Sequence, residues 1–93
     1  MDTNTQNDCV RSIIDATMTL DVEGVTNMVP DAASRASDRL LNALRTSNDV
    51  LCAERYLDEA EGIAVEAPEL ADTINTAVAT ARHYLFLVES TRR

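Results

Sequence analysis

The chain has 93 residues, with sixteen acidic and eight basic side chains and a formal charge of −8. Its apolar content of 45%, with only two glycines and two prolines, excludes a disordered chain, and its length allows one domain with a small core. A pI near 4.4 disfavours direct binding to a nucleic-acid backbone, which needs a clustered basic patch.

Every long stretch reads at helical period, and none alternates at period two. The first helix is predicted to start near Asn7, behind a disordered segment over residues 1–6. Thr5-Gln6-Asn7-Asp8 has the Thr-x-x-Asp form of a capping box. Val10, Ile13, Ile14, Thr17 and Leu20 then share one face. Gly24 and Asn27 weaken the stretch from Asp21 to Val29, which reads as a loop or a short helical turn, although Val22, Val25 and Val29 keep a helical spacing.

The second helix is predicted to start at Pro30 or Asp31, where proline suits the first helical position and aspartate the first turn. Ala33, Ala36, Leu40, Ala43 and Leu44 form its apolar face. Asp31 to Val65 lacks a breaker before Glu61, but its apolar stripe jumps by roughly 110° across Thr46 to Asp49, far more than coiled-coil drift supplies. Thr46-Ser47-Asn48-Asp49 is also a capping-box form, so a kink or turn is predicted there. The rival reading is one long helix whose halves face different partners.

The third helix is predicted from about Asp49 to Glu61 or Val65, through Val50, Ala53, Leu57, Ala60 and Ala64. Gly62 is read as its left-handed end, with Ile63 making the apolar contact beyond it. The fourth helix has Pro68 near its start, Glu69 and Asp72 in its first turn, and Arg92 and Arg93 at its end. Leu70, Ala71, Ile74, Ala77, Val78, Ala81, Tyr84, Leu85 and Val88 fall in an arc of roughly 140°, with Ile74, Ala81 and Leu85 at its centre. The expected fold is all-α: a small antiparallel bundle of about four helices, completed by homodimerisation if its short helices leave faces uncovered.

The acids concentrate between Asp49 and Asp72, where eight carboxylates face only Arg55. Glu54, Asp58 and Glu61 share one helix face, expected opposite the core. They read as a negative ridge for a partner with a basic surface, or as a solvated face that keeps the protein soluble. Phe86 and Leu87 point to opposite flanks of the fourth helix's stripe, and Leu51 also points away from its core. One flank can be covered within the chain, and the other reads as a partner or dimer surface.

Chemistry-bearing motifs are missing. The chain has no Glu-x-x-His pair, no calcium loop, no Gly-rich phosphate loop and no Gly-x-Ser-x-Gly elbow. His83, the only histidine, projects away from the apolar arc. Cys9 and Cys52 read as reduced, half-buried small hydrophobes. No catalytic, cofactor or metal site is therefore expected.

No stretch approaches the ~20 apolar residues of a membrane span, and the residues from Met1 to Asp8 lack the features of a signal peptide. A cytoplasmic location is expected. Using arginine without lysine suggests a bacterial or phage source of high GC content. The functional expectation is a non-enzymatic protein-interaction module: a regulator, adaptor or inhibitor that homodimerises. The alternative is an acidic inhibitor of nucleic-acid-directed machinery, such as an anti-CRISPR-like phage anti-defence protein occupying a basic surface.

Overall fold

The structure, a computed structural model, describes residues 3–91, with the side chain of Thr3 outside the description. Four α-helices pack into an antiparallel bundle: α1 (Thr3–Thr26), α2 (Pro30–Arg45), α3 (Val50–Glu66) and α4 (Ala71–Thr91), with a 3-10 turn over Pro68–Leu70 before α4. No strand occurs among the described residues. The bundle measures 44 × 23 × 17 Å. Each helix packs on its neighbours in chain order, and α1 closes the ring against α4. α2 and α4 also touch across the middle, so α1 and α3 occupy the far corners.

The first helix departs most from expectation. It starts at Thr3, so the Thr5–Asp8 motif lies inside it and caps nothing. Of the segment expected to be disordered, Thr3 to Gln6 are helical, while Met1 and Asp2 lie outside the described residues. The helix also runs unbroken through Asp21–Thr26, a stretch that reads as a loop or a short helical turn. Gly24 is the reason: it is buried, and a Cβ there would collide with the Cβ of Ala33 on α2. The glycine that lowers helix propensity is what lets the two backbones approach.

α1 ends in a Schellman turn. The Val29 N–H donates to the Gly24 carbonyl at 2.7 Å, and the Met28 N–H donates to the Val25 carbonyl at 3.2 Å. Met28 sits in the left-handed region at φ 64°, where glycine is the favoured residue, and its side chain is exposed. Met28→Gly is therefore expected to raise unfolding stability by about 1 kcal/mol in urea titration, because it relieves the strain and removes no packing. A loss of stability would mean that this turn is not what ends the helix.

The predicted break at residues 46–49 is present: α2 stops at Arg45 and α3 starts at Val50. The capping residue differs from the motif reading. Asp49, not Thr46, is the N-cap, and its carboxylate accepts from the Cys52 N–H at 3.3 Å. The Thr46 hydroxyl instead donates back to the Asn42 carbonyl at 2.7 Å. Gly62 does not end α3, which continues to Glu66, and its φ is not left-handed. Ile63, expected beyond the helix, is buried within it. The α4 arc holds, with Ile74, Ala81 and Leu85 all buried; Arg92 and Arg93 lie outside the described residues.

Ten of the nineteen residues in the core cluster are alanine, so the helices approach closely and a few large side chains supply much of the apolar burial. Ile13, Leu20, Leu40, Leu57, Leu70, Ile74 and Val78 are the largest fully buried ones. Polar groups in the core are satisfied: the Thr17 hydroxyl donates to the Ile14 carbonyl, and the Ser37 hydroxyl donates to the Thr17 carbonyl.

Candidate functional site

The expected acidic ridge is a shared ion-pair cluster across the α3–α4 seam. Arg82 of α4 reaches all three of its members: Nε donates to Glu54 at 3.3 Å, and Nη2 donates to Asp58 at 2.9 Å and to Glu61 at 2.7 Å. Glu54 and Glu61 are only partly exposed, so these acids flank the seam and do not stand opposite the core. Their hydrogen bonds, Glu61's first, hold the Arg82 guanidinium above its usual pKa against a partial desolvation that pulls the other way.

The same pairing recurs on the other side of α3. Arg39 donates to Glu59 at 3.1 Å, and Arg35 donates to Glu66 at 3.4 Å while also holding Asp31. Three arginines from outside the acidic segment thus pair with five of its eight carboxylates. Much of the local negative charge is balanced within the fold.

Around the Arg82 cluster lie exposed apolar side chains. On α3, Leu51, Glu54, Asp58, Glu61 and Val65 follow one another at i, i+3, i+7, i+10 and i+14, which makes one face. Leu51 and Val65, at its ends, are 83% and 81% exposed. On α4, Phe86 lies one turn beyond Arg82 and is 63% exposed. Because α3 and α4 are antiparallel, Phe86 sits toward the Leu51 end. Toward the Val65 end, an open groove of about 370 Å³ runs between Glu61, Ala64, Val65, Pro68, Ala71 and Asn75. The face is therefore apolar at both ends and charged in the middle.

Leu87 does not belong to this surface. It is only 3% exposed, on the flank of α4 that α1 covers, so its assignment to a partner surface is corrected. The register set by the Thr73 hydroxyl donating to Glu23 brings Leu87 level with Cys9, which is also buried. The flank that carries Phe86 has no such cover.

The cysteines separate as well. Cys9 is buried and Cys52 is exposed, so neither is half-buried. The Cys52 thiol donates to the Asp49 carboxylate at 3.2 Å. That hydrogen bond and the carboxylate's charge raise the thiol's pKa, while the thiol and the backbone N–H of Cys52 lower that of Asp49. The two signs give two expectations. The stabilisation from ionised Asp49 is complete above the ordinary carboxylate pKa and is lost as pH falls through its lowered value. Asp49→Asn removes the charge that suppresses the thiolate, so Cys52 should alkylate several-fold faster with iodoacetamide near pH 8. An unchanged rate would show that the thiol–carboxylate contact is not held in solution.

His83 is exposed, and no group of three or more His, Cys, Asp or Glu side chains that could hold a metal ion occurs among the described residues. No described helix is long and apolar enough to cross a membrane. No protein-family model matches the chain, and neither a curated protein nor a solved structure is detectably similar to it. The class that stands is a small all-α four-helix bundle.

Proposed function

We propose that this protein is a non-enzymatic interaction module, a regulator, adaptor or inhibitor, that binds a partner protein through its α3–α4 face. One observation carries the reading: Phe86 is 63% exposed on the same face as Leu51, Val65 and the Arg82 carboxylate cluster. Exposed aromatic and aliphatic anchors beside a polar rim are the composition of a protein-binding patch.

The fitting partner presents an apolar pocket for Phe86 with basic residues beside it, because Asp58 remains well exposed at the cluster's edge. The narrower reading, an anti-CRISPR-like inhibitor that imitates nucleic acid on a basic surface, draws less support. Three arginines dilute the charge such a mimic would need. We place the protein's action in a bacterial or phage-infected cytoplasm, a reading supported by its lysine-free composition.

Phe86→Glu tests the face. The variant should keep its helical circular dichroism, since the side chain packs little within the chain, and should lose at least about tenfold in capture of the binding partner identified by mass spectrometry. A folded variant with unchanged capture would move the binding face elsewhere. An unfolded variant would return Phe86 to the internal core.

A further inference from the structure

A second surface lies at the opposite corner of the bundle. Ile14, Met18, Val22 and Val25 project from the outer face of α1, at i, i+4, i+8 and i+11, within an arc of about 80°. They are 42%, 62%, 67% and 68% exposed, and no other helix of the chain covers them. Ile14 reads on one face with Ile13 and Leu20, and Val22 and Val25 fall in a segment that reads as a loop or a short helical turn, so the stripe emerges only when α1 runs unbroken to Thr26.

The charges on this stripe are arranged for a copy of itself. Arg11 lies one turn before the apolar residues and Asp21 lies among them, close to the line through Ile14, Met18 and Val25. Among the described residues, neither Arg11 nor Asp21 has an ion pair, whereas Arg35, Arg39 and Arg82 each hold carboxylates. Two such helices laid antiparallel, with Ile14 opposite the second copy's Met18, bring each Arg11 opposite the second copy's Asp21. A two-fold axis makes both layers occur twice. No like charges meet in the layers from Arg11 to Asp21, while on one flank Asp15 lies beside the two-fold axis and faces its own copy.

We propose that the chain forms a homodimer through antiparallel α1–α1 packing, with Ile14 against Met18 at the centre and Arg11 paired with Asp21 at each end. The dimer leaves the α3–α4 face untouched, because α1 and α3 stand at opposite corners. It also keeps the two acidic segments at the outer ends, where their mutual repulsion is smallest. The complex presents two copies of the Phe86 face. The α1 surface stands independently of the partner-binding reading.

The test is sedimentation equilibrium of the full chain from micromolar to millimolar concentration, with circular dichroism as a check on folding. The wild type should pass from monomer to dimer across that range. Met18→Glu should stay monomeric with unchanged helicity. Arg11→Asp and Asp21→Arg should each weaken the dimer about tenfold, and the double exchange should restore it. The single exchanges separate specific pairing from bulk charge. The chain carries −8, so general repulsion alone would make Arg11→Asp weaken association and Asp21→Arg strengthen it. That pattern would overturn the pairing. A monomer at every concentration, or a dimer indifferent to Met18→Glu, would overturn the interface.

Discussion

Leu57→Ala is expected to destabilise the bundle by about 2–5 kcal/mol, measured by urea unfolding. Leu57 is fully buried at the middle of α3, and its neighbours along the same stripe are Ala53, Ala60 and Ala64. Methyl groups cannot swing in to fill the space that a leucine leaves, so the cavity persists and the cost falls toward the upper end. Small domains have total stabilities of about 5–15 kcal/mol. The variant should therefore melt more than about 8 °C below the wild type, at the 4–8 °C per kcal/mol usual for this size. A cost under half a kcal/mol would mean that the core relaxes around alanine and is not closely packed.

The two glycines should respond in opposite directions to the same substitution. Gly24→Ala puts a methyl group onto the Cβ of Ala33 and near the Val29 carbonyl, so α1 and α2 must move apart. Forced overpacking of this kind costs about 1–3 kcal/mol. Gly62 lies in the same helical conformation, but nothing lies within 4 Å of where its Cβ would be. Gly62→Ala should gain about 0.5–1 kcal/mol, because it restricts the unfolded chain and meets no neighbour. Combining Gly24→Ala with Ala33→Gly should recover part of the loss, since it moves the small residue to the other helix. Equal effects at the two glycines would refute the close approach of α1 to α2.

These two sites also show how differently a residue reads in isolation and in the fold. By propensity both glycines weaken a helix, and the chain was expected to break near each. Neither breaks it. Whether an added methyl at position 24 collides depends on Ala33, nine residues away on another helix. That information is not local, and period counting cannot supply it.

The candidate site was legible in part. Glu54, Asp58 and Glu61 stand out because an i, i+4, i+7 spacing puts them on one face whatever surrounds the helix. Phe86 stands out because it departs from its own helix's apolar arc. Arg82 gave no such signal, although it joins the three acids. It lies 21 to 28 residues from them, and only the antiparallel return of α4 past α3 brings it there. The choice between Phe86 and Leu87 was equally closed to a single-helix projection. Both sit on flanks, and the side that α1 covers decides which is buried.

The sequence by itself determined the helical class, the break between α2 and α3, and the buried arc of α4. These follow from spacing, from breakers and from poor helix formers within a few residues, and such short-range effects survive any tertiary arrangement. The tertiary structure alone decided that α1 continues past Gly24, and that its far half turns Met18, Val22 and Val25 outward. It also decided that arginines from α2 and α4 take up much of the acidic segment's charge. Each outcome depends on contact between residues far apart in the chain. There, burial and ion pairing outweigh propensities worth only about 1 kcal/mol or less per residue.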